Sequence, residues 1–299
     1  MSARRLGRRL RLTPAAAFLA SAAVSVAAGC SSGGGDDKSG ASAQRTVVYA
    51  VGDAAGGDPA SRKLADFIKG RPVDRFFYLG DVYETGTARE FRDHYEPVFG
   101  ALADRTDPVI GNHEYHAREE GYYPYWEEKR GWTPDQALHR SYVDRASGWQ
   151  VLAYSSESDA RDEAQWLAGE MAKHEGTCRI AFAHRGRYVV ADDAHSDNVD
   201  QQPVWAQLAE NVAINLVAHN HIYGRLGPRK GVHVVVSGAG GNELRGLGVQ
   251  HHAVRAAESG MPMVTELTLR RGAADLRQLD VAGKVYDEET IPCSEGSSP

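Results

Sequence analysis

From residue 45 onward, short apolar stretches rich in Val, Ile, Phe and Tyr alternate with segments whose apolar positions recur at helical spacing. Residues 46–51 form a first β-branched run and 75–79 a second. Between them, Asp58-Pro59 reads as a helix N-cap followed by Pro at the first helical position. The helix it opens turns Leu64, Phe67 and Ile68 inward and stops at Gly70. The three segments make a βαβ unit. A helix broken at Pro97 is predicted over 87–105, then a short strand at 108–110. Strands at 150–154 and 179–183 flank a helix at 161–174, and Pro203 opens another helix to about 210. Strands follow at 213–218 and 232–237, and 263–269 with 275–279 read as a hairpin-like pair. Alternation of this kind predicts an α/β fold. One stretch, about 115–148, carries Tyr122, Tyr123, Tyr125, Trp126 and Trp132 without clear period. It reads as an inserted loop over the strand ends, its aromatics either walling a substrate pocket or packing as any long loop packs.

Five apolar stretches end in a short polar block: Val51-Gly52-Asp53, Gly80-Asp81-Val82-Tyr83, Gly111-Asn112-His113-Glu114, Ala183-His184-Arg185 and Ala218-His219-Asn220-His221. Ligands bind α/β sheets at the carboxyl ends of strands. Each block alone has a bland reading: Asp after Gly as a turn residue, Asn112 as a left-handed turn residue, His184 as a hydrogen-bonded structural histidine. Jointly they offer Asp53, Asp81, Tyr83, Asn112, His184, His219 and His221 as metal donors, with His113 beside them. Two hard cations about 3.5–4 Å apart clamp the attacking and leaving oxygens of a phosphoryl displacement, and need such donors plus one carboxylate able to bridge. Asp53 and Asp81 leave two strands of one βαβ unit, so their carboxylates can converge. His219 and His221, two apart in an extended segment, point to one side.

The blocks resemble the calcineurin-like metallophosphoesterase superfamily and, within it, the purple acid phosphatase branch, which carries GDxG, GDxxY, GNH(D/E), a lone His after a strand, and GHxH. The likeness covers roughly residues 45–245, including Gln165-Trp166-Leu167 and Ser237-Gly238-Ala239-Gly240-Gly241. It implies a four-layer α-β-β-α sandwich of two mixed sheets flanked by helices. By correspondence Asp53, Asp81, Tyr83 and His221 hold one metal, Asp81 bridges, and Asn112, His184 and His219 hold the other. His113, oriented by Glu114, protonates the leaving alcohol. The implied reaction is hydrolysis of phosphomonoesters by a metal-bound hydroxide. A phosphodiesterase or nucleotidase on the same centre, and a non-catalytic binding lipoprotein, are the alternatives. A phenol with an ordinary pKa near 10 binds as phenolate only to a strongly acidic ion. Tyr83 therefore favours Fe3+ with a divalent partner (Fe, Zn or Mn); two divalent ions with neutral Tyr83 give the same small positive charge and stay open. Three blocks depart from the pattern: Asp53-Ala54-Ala55-Gly56 has its glycine one position late, Ala218 replaces Gly, and Arg185-Gly186-Arg187 follows His184 where Pro is expected. Arg185 and Arg187 either contact substrate phosphate or form a solvated basic turn. His195 is a further substrate-site candidate, as is His116.

The N-terminus changes the setting. Arg4, Arg5, Arg8, Arg9 and Arg11 precede an Ala/Val/Leu-rich run over 15–28, then Gly29-Cys30. This describes an export signal over 1–29, too short to span a membrane comfortably. Cys30 before Ser31-Ser32-Gly33 resembles a bacterial lipoprotein cleavage site. That implies a lipidated Cys30, a Ser/Gly-rich tether over 30–44, and a single domain over 45–299 at the outer face of a cell membrane, with plain secretion as the alternative and Sec or twin-arginine export both open. Setting aside the five N-terminal arginines leaves 29 of the 34 basic residues against 40 acidic ones, a net of −11. A domain this acidic is not expected to bind nucleic acid, nor a membrane except through the Cys30 lipid. Its expected partner is a small phosphorylated substrate. Cys178 and Cys293 remain, as a disulfide in an exported chain or as two thiols.

Overall fold

The computed structural model describes residues 44–190, 197–248 and 252–293. The export signal, Cys30, nearly all of the tether and His195 lie outside the described residues. The strands in chain order are β1 (Arg45–Val51), β2 (Arg75–Tyr78), β3 (Thr106–Pro108), β4 (Arg140–Val143), β5 (Gln150–Ala153), β6 (Arg179–Phe182), β7 (Ile214–Val217), β8 (Tyr223–Leu226), β9 (His233–Ser237), β10 (Val254–Glu258), β11 (Met263–Arg270), β12 (Ala273–Asp280) and β13 (Val285–Pro292). The α-helices are α1 (Pro59–Lys69), α2 (Ala88–Glu90), α3 (Glu96–Phe99), α4 (Asn112–Tyr115), α5 (Tyr122–Arg130), α6 (Pro134–Leu138), α7 (Ala160–Ala172) and α8 (Gln202–Leu208).

Two mixed sheets form. One has the order β13-β12-β11-β1-β2-β3, the other β10-β8-β9-β7-β6-β5-β4. Strands β1, β2 and β3 run parallel, as do β5, β6, β7 and β9; the remaining strands extend each sheet antiparallel. The period of two explains how the layers stack. In β1, Val48 and Ala50 face the other sheet while Tyr49 and Val51 face helices. In β6, Ile180 and Phe182 face the first sheet while Ala181 packs under α7 and α8. Between the sheets Phe77 stacks on Phe182 with ring centroids 4.2 Å apart. Helix α1 and the segment from α2 to α5 cover the first sheet; α7 and α8 cover the second. The result is the expected α-β-β-α sandwich, its parallel strands buried on both faces.

Local chemistry sets the first helix. Asp58 accepts from the amides of Ala60 and Ser61, Pro59 stands at the first turn, and Gly70 caps the end. The helix expected over 87–105 starts at a Thr87–Glu90 capping box, but its pitch is not uniform. It passes through a π turn at Phe91–Tyr95, then α3, then a 3-10 turn at Gly100–Arg105. Pro97 has no N–H for an α-helical bond, and the chain accommodates it by changing pitch rather than by stopping.

The segment at 115–148 is not an irregular loop. It holds α5, α6 and β4, and Tyr122, Tyr123, Tyr125, Trp126 and Trp132 are core residues packed with Phe91 and Tyr95. Strands β8, β10 and β13, unforeseen from the sequence, complete the sheets. Cys178, just before β6, is disulfide-bonded to Cys293, just after β13, with Cα atoms 5.4 Å apart, so the bridge joins the two sheets. Among the described residues no helix is long and apolar enough to cross a membrane.

Candidate metal centre

The loops after β1, β2, β3, β6 and β7 meet at one edge of the sandwich, and each delivers its polar block there. Close approach is the reason for several glycines. A Cβ on Gly111 would lie 2.0 Å from Oδ1 of Asp81, and one on Gly238 would lie 2.5 Å from Oδ2 of Asp53. Asp53, Asp81 and His219 hold left-handed backbone angles, with φ of 56°, 70° and 71°. Such angles cost a non-glycine residue on the order of 1 kcal/mol each and persist where the surroundings over-determine them. Here the Asp53 amide donates to the Gly80 carbonyl, and the His219 amide donates to Oδ2 of Asp53 at 2.9 Å. The stretch from Ala218 to His221 is therefore bent rather than extended. His219 and His221 converge on the centre through backbone turns, not through strand alternation.

Two donor sets result. In the first, the Tyr83 hydroxyl lies 2.9 Å from Oδ1 of Asp53, 3.1 Å from Oδ2 of Asp81 and 3.2 Å from Nε2 of His221. In the second, Nε2 of His184 lies 3.0 Å from Oδ1 of Asn112, 3.2 Å from Nδ1 of His219 and 3.3 Å from Oδ2 of Asp81. Oδ2 of Asp81 belongs to both. Atoms bound to one cation at roughly 2.0–2.2 Å lie about 2.8–3.6 Å from one another, so each set has the spacing of a coordination site. The lone-pair count agrees. Nδ1 of His184 is given to the Leu79 carbonyl at 2.8 Å and Nδ1 of His221 to the Glu243 carbonyl at 3.1 Å, which turns each Nε2 into the centre. One Tyr83 proton faces three acceptors, and one His184 nitrogen faces three more donor atoms. A cation at each of two points would satisfy them all.

The electrostatics run the same way. Burial, with the Asp81 charge beside it, raises the Asp53 carboxyl against the pull of His221 and His184. Burial also opposes ionisation of Asp81, but the neighbouring His184 outweighs it and holds that carboxyl far below its ordinary value. In turn Asp81 raises His184 against its own burial. Burial and the two aspartates push the Tyr83 phenol far above its ordinary value. The cluster draws protons, and metal ions compete for the same places.

His113 stands at the opening, its side chain 30% exposed. It is set differently from the sequence expectation: Nδ1–H donates to the Glu84 carbonyl at 2.6 Å, the ring packs edge-on against Tyr83, and Nε2 lies 3.8 Å from Oδ2 of Asp81. No described bond joins the Glu114 carboxylate to the His113 ring. The Glu114 side chain is buried and accepts from the amides of Asp81, Val82 and Gly111. Burial and the Asp81 charge raise its carboxyl to about 7.

The basic residues after His184 have partners in the protein. Arg185 bonds Glu157, Asp200 and the Ser156 carbonyl, while Arg187 bonds Gln202 and Asp197. Neither is brought to the donor cluster by a described contact. His116 is exposed, and no described contact brings it to the donors. The methyl of Ala218 fills space against Gly52, where an added Cβ would meet it at 2.5 Å. Three contributors escaped sequence reading. Nδ1 of His94 bonds the Tyr83 carbonyl at 2.7 Å, the Tyr78 hydroxyl bonds the Asp81 carbonyl at 2.5 Å, and the Glu243 carbonyl holds His221. Only Tyr78, two residues from the block, carried a signal of position.

Facing donor sets at the strand ends of a double-sheet sandwich are the arrangement that metal-dependent phosphoester hydrolysis requires. The sequence profile of calcineurin-like phosphoesterases matches residues 46–223, and the chain belongs to that family. Family membership implies a dimetal centre, and Asp81, His184 and His219 form a group able to hold one ion. A comparison with curated proteins finds no match. Among solved structures, the chain is similar to GAP50, titled the anchor in the inner membrane complex of Plasmodium, at 11% identity and a TM-score of 0.68, covering 84% of this chain and 90% of that one. It is also similar to a dimetal phosphatase from Danio rerio at 13% identity and a TM-score of 0.54, covering 83% and 99%. At these identities the likeness speaks to the fold.

Proposed function

We propose that this chain is a purple acid phosphatase-like enzyme that hydrolyses small phosphomonoesters at a two-metal centre. The observation that carries the reading is the single oxygen, Oδ2 of Asp81, shared by two complete donor sets. Asp53, Tyr83 and His221 would hold one ion with it, and Asn112, His184 and His219 the other. When bound, such a pair activates water and offsets the charge that develops on phosphorus. The chain's own residues do the rest. Left-handed Asp53 and Asp81 aim carboxylates inward, and the carbonyls of Leu79 and Glu243 fix the His184 and His221 tautomers. His113, held through Nδ1 by the Glu84 carbonyl, presents Nε2 at the opening, where it can give a proton to the leaving oxygen. The buried Tyr83 phenol gives up its proton only to a strongly acidic ion, which favours Fe3+ beside a divalent partner.

The enzyme is further proposed to act outside the cytoplasm, exported by the 1–29 signal and tethered through a lipid on Cys30, with no nucleic-acid partner. The acidic balance and the Cys178–Cys293 disulfide suit that setting. Assay of metal-loaded protein on mono- and diester model substrates, from acidic to alkaline pH, tests the activity. Preferential monoester hydrolysis is expected. Diester preference supports the phosphodiesterase alternative, and hydrolysis of neither at any pH supports a non-catalytic binding protein and rejects the enzyme.

A further inference from the structure

Glu114 is the third carboxylate of the metal edge, after Asp53 and Asp81, and holds none of the expected ligand positions. It is fully buried, with no Lys or Arg partner. Its Oε1 accepts from the amides of Asp81 at 3.0 Å and Gly111 at 2.9 Å, and its Oε2 accepts from the amide of Val82 at 3.0 Å. These amides belong to two loops, one after β2 and one after β3, so a single side chain ties together the segments that carry Asp81, Tyr83, Asn112 and His113. The tie falls on the strained residue: Asp81 keeps φ at 70° while its amide is held by Glu114, its carbonyl by the Tyr78 hydroxyl, and its Oδ1 by the His113 amide at 3.2 Å. A third segment closes on the same spot. A Cβ on Gly86 would lie 2.0 Å from Cβ and 2.4 Å from Cα of Glu114, so the backbone at Gly86 packs closely on Glu114, two residues after Glu84, whose carbonyl orients His113.

We propose that Glu114 is a positioning residue that sets the bridging carboxylate of Asp81 and the Nε2 of His113 in one geometry. The inference rests on the two-metal reading of the site. A carboxylate suits the task because it accepts three amide bonds at once and charge-assisted bonds are the stronger ones. An amide side chain of the same shape cannot do the same: the NH2 of Gln would face an amide donor.

Titration of metal-stripped protein with Mn2+ by calorimetry compares the parent with Glu114→Gln, beside thermal unfolding of both metal-free proteins and a kcat and KM comparison. Outer partners of metal ligands are worth roughly 10–100-fold in affinity. The expected result is Mn2+ affinity lower by about that factor and a fall in kcat with KM nearly unchanged, while the metal-free melting temperatures stay close. Parent-like affinity and kcat in a folded variant overturn the proposal. If Glu114→Gln does not fold, Glu114→Asp, which keeps the charge with a shorter reach, is measured in the same way; failure of both to fold reduces Glu114 to a structural residue and also overturns it. A parent that binds no Mn2+, Zn2+ or iron rejects the metal reading itself, which is a separate outcome.

Discussion

Among the described residues, the Arg225–Asp287 cluster and the metal edge are built on opposite logic. Between the sheets, Arg225 on β8 meets Asp287 on β13 in a two-pronged pair at 2.6 and 2.9 Å, and the Tyr223 hydroxyl adds a third bond at 2.6 Å. Donors meet acceptors there, and the cluster is complete in itself. At the metal edge, acceptors meet acceptors: Asp53, Asp81 and His221 crowd one Tyr83 proton, and Asn112, His219 and Asp81 crowd Nε2 of His184. Burial and charge are common to both, so neither marks function. The convergence of lone pairs on two points is what the proposed two-metal reading rests on.

If that distinction is right, the two clusters respond to different insults. The largest effect is expected from Asp81→Ala, which removes the atom common to both sets. Metal content should fall below two ions per chain and turnover by more than the ~10–100-fold typical of an outer partner alone; elemental analysis showing both ions retained would refute the bridging role. Next, His113→Ala should lower kcat by about 10²–10⁴-fold, the usual worth of a positioned general acid, with metal content unchanged. Loss of metal in that variant would make His113 a ligand instead. Asp287→Ala should do the reverse: a loss of about 1–3 kcal/mol, since Arg225 loses its two-pronged partner and keeps, among the described residues, only Glu289 at 3.3 Å, read by denaturant unfolding, with full metal content.

The Asp287 effect also has a pH signature. Burial works against ionisation, but the bonds from Arg225 and Tyr223 prevail and the folded carboxyl titrates below its ordinary value. A lowered folded pKa gives stability that is present above the unfolded value near 3.9 and is lost as pH falls through the folded one. The gap in stability between parent and Asp287→Ala should therefore be widest near neutrality and narrow progressively below about pH 4. A gap independent of pH would mean that the pair is not ionic.

Much of this was legible in sequence where local rules act alone. The β-branched run at 46–51, the Asp58-Pro59 start and Gly70 stop, and the five strand-end blocks are specified within a few residues of themselves. What needed tertiary context was missed. Strand β13 reads Val-Tyr-Asp-Glu-Glu-Thr-Ile-Pro, too acidic to announce a strand, and it forms because it is a sheet edge with one face in solvent. The aromatics of α5 lack a helical period because they pack around the irregular 88–105 segment rather than onto a flat sheet. The resemblance pairs Glu114 with His113, but on a helical turn consecutive side chains do not face each other, so Glu114 points inward to the amides while His113 points to the opening. His94 sits on a helical segment with no pattern to flag it, and only the fold brings it to the Tyr83 carbonyl.

The most direct test of the two-point excess of lone pairs is elemental analysis of the purified native protein, with its visible spectrum. Two metal ions per chain are predicted, at least one of them iron, with a phenolate-to-iron absorption band from Tyr83. A fully active protein that holds one ion or none would contradict the account.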